Sequence, residues 1–376
     1  YTTLFRSFHI PLVYRADWMK KVGVTKVPET LAEFEVLMYK FAKEDPDGNG
    51  KDDTYGLSKD GFMAVFGAFG IVPWDEKTPY WMRKGGKVVN HTVTPEAKQA
   101  LELLAKWYKD GIIDPEFVTG ENQGGYWAIS HAFINGRIGF TCRGNYYHWA
   151  MPGVYYEIDA AGNKIPCQPG AVAKEFIALH PKGELVLGQA LKGPSGAQGI
   201  KMYNLLMNFY TIGKLAEKEP GKVAKVLEVL NHSQIPDVVE RISFKHGQEG
   251  KYWKMLDAAT KTWIFIPPYD KDQSYWSRIG GILTMPTAYP PKAMREQWAY
   301  SMEYDQKCIK NEIQIGLPLA MKYKAELFKI RDEAYISIIT GGKPVSYFDE
   351  FVQKYMAAGG AEVEKEANEY IASQMK

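Results

Sequence analysis

Thr30-Leu31-Ala32-Glu33-Phe34-Glu35-Val36-Leu37-Met38-Tyr39-Lys40-Phe41 decides the kind of fold to expect. Thr30 and Glu33 form a capping box, in which each side chain accepts from the other's backbone amide where a helix starts. Leu31, Phe34, Met38 and Phe41 then recur at helical spacing and make one apolar face. Just upstream, Ile10-Pro11-Leu12-Val13-Tyr14 is short, apolar and strand-like. A second helix begins at Thr94 with Pro95 in its first turn. Ala97, Ala100, Leu101, Leu104 and Tyr108 line one side of it, and Gly111 stops it. Residues 133–142 give a helix end, a turn at Asn135-Gly136 and a buried strand over 138–141. Short strands alternating with long helices argue an α/β fold.

Further along, 153–170 reads as loop, and 176–179 and 185–187 read as short strands. Gly193-Pro194-Ser195-Gly196 reads as a turn, and 220–230 and 235–244 as helices. The chain beyond 293 is mostly helical in pattern. Ser346 and Asp349 start one helix there; Phe348, Phe351, Val352 and Tyr355 face inward, and Gly359-Gly360 ends it.

The 376 residues exceed one ordinary domain, since about 150 per domain gives two to three. At 45% apolar and 24% charged residues the chain can bury a sizeable core. A net charge of +2, from 46 basic and 44 acidic residues, gives no support to a strongly basic nucleic-acid surface. No apolar run approaches the roughly eighteen residues of a spanning helix, which excludes a polytopic membrane protein. Cys142, Cys167 and Cys308 are too few for a dense disulfide framework. Aromatics, at 14% with 10 Trp and 24 Tyr, exceed what a core needs.

Five motifs stand in a fixed order: Val13-Tyr14-Arg15-Ala16-Asp17-Trp18, running on through Gly23 to Pro28-Glu29-Thr30-Leu31-Ala32-Glu33; Asp45-Pro46-Asp47-Gly48-Asn49-Gly50-Lys51; Leu191-Lys192-Gly193-Pro194-Ser195-Gly196; His246-Gly247-Gln248-Glu249-Gly250-Lys251-Tyr252-Trp253; and a tail from Thr340-Gly341-Gly342-Lys343-Pro344 to Glu366, Asn368, Glu369 and Tyr370. Together they resemble the extracellular solute-binding proteins of ABC transporters, in the lipoprotein branch associated with oligosaccharide uptake. The resemblance implies a type II periplasmic-binding-protein-like α/β fold, with two lobes joined by a hinge and closing on a saccharide. It further implies an extracytoplasmic monomer, anchored through an N-terminal lipid, that docks on the permease subunits of the transporter. The family carries a signal peptide, a lipobox cysteine and most of the first lobe ahead of these motifs, so a fragment with an incomplete first lobe is expected. Residues 1–7 are expected to be a sequencing artefact. Residues 8–200 are assigned mainly to lobe two, 201–290 to the remainder of lobe one, and 291–376 to a C-terminal helical segment packing on the lobes.

Asp45, Asp47 and Asn49 occupy positions one, three and five of an EF-hand-like loop, with Gly50 at six. Lys51 offers its carbonyl at seven and Asp53 a carboxylate at nine. Hard oxygens on alternate residues suit Ca²⁺, a structural cofactor that family relatives often hold here. Gly56 stands at position twelve in place of the bidentate Glu, leaving Thr54 or water to complete the shell. The alternative is a solvated Asp/Gly turn.

Trp74, Trp81, Trp127, Tyr146, Tyr147, Trp149 and Trp276 lie in Gly/Pro-rich or polar contexts off any helical stripe. Flat aromatic faces bury the C–H faces of sugar rings, and polar neighbours bond the rims. Arg143, Asn145 and His148 flank the Tyr146/Trp149 cluster, and Asp270, Asp272 and Arg278 flank Trp276. Trp107, Trp298 and Tyr355 fall in helical patterns and read as core. The competing class is a carbohydrate-active enzyme using paired carboxylates, and a non-sugar ligand is a further alternative. No carboxylate pair has a distinctive context, and G-x-S-x-G and Walker A patterns do not occur, so no enzymatic activity is expected.

Overall fold

The structure is a computed structural model that describes residues 10–119, 127–152, 156–158, 163–201, 212–232, 237–259, 262–269 and 307–374. Its strands, in chain order, are β1 (Leu12–Arg15), β2 (Tyr55–Leu57), β3 (Trp81–Lys84), β4 (Lys87–Asn90), β5 (Ile138–Thr141), β6 (Tyr156–Ile158), β7 (Lys164–Pro166), β8 (Leu185–Gly188), β9 (Ile200–Lys201), β10 (Trp253–Asp257), β11 (Thr262–Phe265) and β12 (Cys308–Ile309). The helices are α1 (Ala16–Lys21), α2 (Leu31–Lys43), α3 (Phe62–Ala68), α4 (Pro95–Lys109), α5 (His131–Ile134), α6 (Ala171–Leu179), α7 (Pro220–His232), α8 (Val238–His246), α9 (Pro318–Ile339), α10 (Tyr347–Tyr355) and α11 (Ala361–Gln374).

Two compact units emerge. The larger draws on Ser7–Trp149, Gly170–Asn204 and Glu303–Lys376, and the smaller on Ala150–Pro169 and Leu205–Met302. This grouping runs across the expected segments 8–200, 201–290 and 291–376. Residues 1–7 lie outside the described residues.

The larger unit is built on a mixed sheet in the order β2-β5-β1-β8. β2 runs parallel to β5, while β5 and β8 run antiparallel to β1. Every residue of β1 and β5 is buried. Strands covered on both faces show continuous apolar runs rather than alternation, which is why β1 and β5 were legible. The capping box of α2 forms as expected: the Thr30 hydroxyl accepts from the Glu33 amide at 3.2 Å, and Glu33 accepts from the Thr30 amide at 3.1 Å. The apolar face of α2 then meets the sheet. Phe34 lies edge-on to Phe140 at 4.7 Å, and Trp107 of α4 closes over it at 6.0 Å. Burying such a side chain contributes roughly 1.5–3 kcal/mol.

The C-terminal helices are tied in by polar contacts as well as packing. Asn368 donates to the Val88 carbonyl and accepts from the Val88 amide, both at 2.9 Å, so a side-chain amide extends the hydrogen bonding of β4. Glu366 accepts from the Leu319 amide at 3.0 Å and the Ala320 amide at 3.3 Å. Orphan amides and the helix dipole favour an anion there, at the start of α9.

Two sequence expectations change. Residues 176–179 belong to α6, where Val172, Ala173 and Phe176 are buried at helical spacing; four apolar residues were too few to reveal the period. The 153–170 stretch contains an antiparallel β6–β7 pair. Gly359-Gly360 ends the helical run as expected: Gly359 leaves helical conformation at a φ of 117°, and α11 starts anew at Ala361.

In the smaller unit, β10 and β11 form an antiparallel hairpin with an irregularity between Met255 and Asp257. Ile242 of α8 packs with Trp253, Trp263 and Phe265 in its core. Trp253 donates its indole N–H to the Gly247 carbonyl at 2.8 Å. Gly247 has a φ of 89°, and a Cβ there would lie 2.6 Å from the Tyr252 ring. The His246-to-Trp253 motif is therefore a turn that delivers an aromatic core.

Candidate functional site

Strand register brings the first two polar groups of the site together. Leu57 of β2 pairs in parallel with Phe140 of β5. Three residues beyond each of these lie Asp60, in the 3-10 turn Lys59–Gly61, and Arg143, so both follow the same end of the sheet. Nη1 of Arg143 donates to Oδ1 of Asp60 at 3.0 Å. Open α/β sheets hold ligands in the loops beyond the carboxyl ends of parallel strands. Burial pushes the Asp60 carboxyl up, against the pull of the Arg143 guanidinium. Oδ2 of Asp60 is buried without a hydrogen-bond partner.

Arg143 also donates from Nε to the Trp127 carbonyl at 2.7 Å, fixing the segment that enters α5. Trp127 keeps 44% of its surface exposed. The His148 ring lies edge-on to it at 5.2 Å and within 4.2 Å of the Tyr147 ring. Nδ1 of His148 accepts from the Asn145 amide at 2.8 Å. Burial lowers the His148 pKa to about 4, so the ring is neutral near pH 7 and keeps that acceptor. Nδ2 of Asn145 donates to the Tyr147 hydroxyl at 3.1 Å, and its Oδ1 is buried with no partner.

The loop is braced from below. The Trp149 indole donates to the Arg143 carbonyl at 2.5 Å and meets Phe133 edge-on at 5.4 Å. Gly170, at the start of α6, passes so close that a Cβ there would lie 2.2 Å from the Tyr147 carbonyl oxygen.

Of the residues expected to bind ligand, the structure thus brings Trp127, Arg143, Asn145, Tyr147 and Trp149 together. Trp149 is 1% exposed and acts as a brace, with no face to offer. Tyr146 opens the 3-10 turn Tyr146–Trp149, and its side chain lies outside the described residues, as does Trp276. Trp81, in β3, is buried, and its amide donates to Asn311 at 3.0 Å. Trp74 is half-buried: its indole donates to Asp332 at 2.8 Å, and the Lys59 ammonium sits 4.9 Å over its ring. Asp60 was missed. Its signal was Ser58-Lys59-Asp60, a polar step between a strand and the apolar run of α3, but the Arg143 partner emerges only once β2 and β5 are paired.

The Asp/Gly loop folds around Asn49. Asn49 donates its amide hydrogens to Asp47 at 2.8 Å and to Asp53 at 3.1 Å. Asp45 accepts from the amides of Gly48, Asn49 and Gly50 at 3.0–3.1 Å. The Gly50 amide, above all, lowers the Asp45 pKa, whereas burial raises that of Asp47, helped by the Asp45 and Asp53 carboxyls beside it. The end of the loop packs on α2. Gly56 lies against α2, where a Cβ would sit 2.8 Å from that of Met38, which bars a Glu. The Thr54 hydroxyl donates to the Phe41 carbonyl at 2.9 Å. Among the described residues, no group of three or more His, Cys, Asp or Glu is placed to hold a metal ion.

No family model matches the chain. It is 23% identical over 377 aligned residues to the polygalacturonan/rhamnogalacturonan-binding protein YtcQ of Bacillus subtilis (strain 168), covering 95% of this chain and 67% of that protein. It is 22% identical over 379 residues to lipoprotein LipO of the same organism, covering 96% of this chain and 68% of the relative. Among solved structures, the S. pneumoniae ABC-transporter substrate-binding protein FusA, an EF-hand mutant in complex with fructo-nystose, superposes with a TM-score of 0.58 at 17% identity. That match covers 98% of this chain and 74% of that one. The chain spans about two thirds of the length of its curated relatives. The α/β solute-binding-protein fold implied by the motifs is borne out.

Proposed function

We propose that this chain, a relative of ABC-transporter solute-binding proteins by sequence and by fold, is the extracytoplasmic binding component of an importer and holds an oligosaccharide without covalent chemistry. The observation that carries the proposal is the pair of exposed aromatics, Trp127 and Tyr147, set beside buried polar groups at the carboxyl end of β2 and β5. A sugar ring offers apolar C–H faces to the first and hydroxyls to the second. Relatives named as binding proteins favour binding over the glycosidase alternative. Permease subunits are the partners such a component needs, and the lipoprotein relative favours a lipid-anchored, extracytoplasmic location.

Titration of the chain against an oligosaccharide panel tests this. Trp127→Ala should weaken the best ligand about tenfold, close to 1.4 kcal/mol, with the unfolding midpoint unchanged. Unchanged affinity would remove Trp127 from the site, and turnover of any glycoside would favour the enzyme.

Calcium is proposed for the loop as a structural ion. Asp45, Asp47, Asp53 and the Lys51 carbonyl supply hard oxygens, and rotating the Asn49 amide would turn its own oxygen inward in place of the N–H groups now bonded to Asp47 and Asp53. With Gly56 in place of a bidentate Glu and Thr54 buried against α2, water completes the shell, so affinity should be modest. Addition of Ca²⁺ at about a hundred times Kd should stabilise the protein by about 2.7 kcal/mol. The same addition should leave an Asp45→Ala/Asp47→Ala variant unmoved. Equal calorimetric heats from the two proteins would sink the site.

A further inference from the structure

We infer that Asp60 is a positioning residue: through Arg143 it sets the place of the exposed Trp127 ring, and it makes that aromatic platform sensitive to pH. What the platform grips rests on the saccharide reading of the same site; how it is held does not.

The geometry is a relay. The Asp60 side chain is 11% exposed and its Oδ2 is wholly buried, so it offers a ligand almost nothing. Its Oδ1 accepts from Nη1 of Arg143 at 3.0 Å. A guanidinium is planar and rigid, so fixing one nitrogen fixes the direction of the others. Nε of the same group donates to the Trp127 carbonyl at 2.7 Å. The Arg143 backbone is held separately, its carbonyl accepting from the Trp149 indole at 2.5 Å. Ser130, fully buried and three residues after Trp127, brings its hydroxyl to the same carboxyl and steadies its charge. Asp60 thereby holds both ends of the segment from Trp127 to Ser130.

The strength of this hold depends on charge, since a charge-assisted hydrogen bond is about twice as strong as a neutral one. Burial, above all, pushes the Asp60 carboxyl up, and Glu76 adds to it; Arg143 and Ser130 pull it down without restoring the ordinary value. The charge is therefore lost at a higher pH than that of an ordinary carboxyl, about 4. As pH falls through the raised value, the guanidinium comes to face a neutral acid and its hold on the Trp127 carbonyl slackens. As pH rises, the hold returns. Of the other titratable groups around the carboxyl, Cys142 is buried, with its thiol pushed well up, and stays neutral across that range. Lys59, beside Asp60, faces the Trp74 ring and lies 4.0 Å from Glu76. His131 follows Ser130 at the start of α5, and His148, edge-on to Trp127, gains its proton at about 4.

The test is fluorine NMR of the full chain labelled with fluorotryptophan, without ligand, the Trp127 line being identified by its loss in Trp127→Phe. Between about pH 8 and pH 4 that line should move in one step in the wild type. In Asp60→Asn the step should be lost, and the line should rest at the wild type's acid position, because the amide is neutral at every pH. Changes due to His131 or His148 appear in both proteins and cancel. A Trp127 line that stays still in the wild type, or that steps alike in Asp60→Asn, overturns the inference. If Asp60→Asn does not fold, Arg143→Lys decides: it keeps the charge without the planar fork, so the step should again be lost, and a step that persists overturns the relay. No ligand enters the measurement, so its failure leaves the saccharide reading standing, and an oligosaccharide panel without hits leaves the relay standing.

Discussion

Lys201→Met should cost the larger unit about 3 kcal/mol near pH 7, because it strands a buried carboxylate. Asp75 is 3% exposed, and its Oδ2 is bonded to the Lys201 ammonium. Its Oδ1 accepts from the Lys77 amide at 2.9 Å and the Thr78 amide at 2.8 Å. Arg331 donates to the Asp75 carbonyl at 2.7 Å and to Asp332 at 2.8 Å, and Asp332 accepts from Trp74. Burial alone would push the Asp75 carboxyl up; the Lys201 charge and the amides more than reverse that, and its pKa is lowered. The stabilisation is therefore present above the ordinary carboxyl range and is lost as pH falls through the lowered value. Without Lys201 burial prevails, and the penalty grows as pH rises. The gap between wild type and variant should be widest at neutral pH and should narrow below about pH 4. Urea unfolding at both pH values measures it, and Asp75→Asn added to Lys201→Met should recover most of the loss. A gap that does not change with pH would show that the pair is not the cause.

What was legible in the sequence was whatever depends on neighbours in the chain. Thr30 and Glu33 stand three apart and cap α2, and Thr94 caps α4 by accepting from the Ala97 amide at 3.3 Å. Asn135-Gly136 turns the chain with a φ of 75° at Gly136. Contacts between distant segments were not legible. Asp60 and Arg143 are 83 residues apart and meet only through the register of β2 and β5. The surplus of aromatics illustrates the same limit. It suggested a binding surface, yet Trp18, Trp81, Trp107, Trp149, Trp253 and Trp263, six of the ten tryptophans, are fully buried. Loop context did not separate Trp149 from Trp127, because what separates them is Phe133 covering one ring. The tail motif pointed to the right fold for a reason not visible in it: Glu366 and Asn368 serve the start of α9 and the strand β4. Family motifs here record packing more than ligand chemistry, which is why they carried the fold further than the site.

Gly193→Ala should lower stability by about 3 kcal/mol or more, the upper end for forcing one methyl into a filled space. A Cβ on Gly193 would lie 1.8 Å from the carbonyl oxygen of Ala68 and 2.8 Å from its carbon. A side chain could swing aside, but this carbonyl ends α3, and α3 is itself held: a Cβ on Gly67 would lie 2.1 Å from the Gly199 carbonyl oxygen. The turn cannot retreat the other way. Gly193 donates to the Ala197 carbonyl at 2.8 Å, and Lys192 bridges to Glu29 and Leu31, both at 2.9 Å, where α2 begins. Space, and not backbone conformation, requires glycine at 193, whereas Gly196 holds a φ of 83° that an alanine adopts only at a cost near 1 kcal/mol. Ser195→Ala is the control: its exposed hydroxyl receives only the Ala197 amide at 3.4 Å, so the change should stay within about 0.5 kcal/mol. Urea midpoints at constant slope rank the three. If Gly193→Ala unfolds no earlier than Ser195→Ala, the contact between this turn and α3 is not rigid, and the motif owes its form to something other than packing.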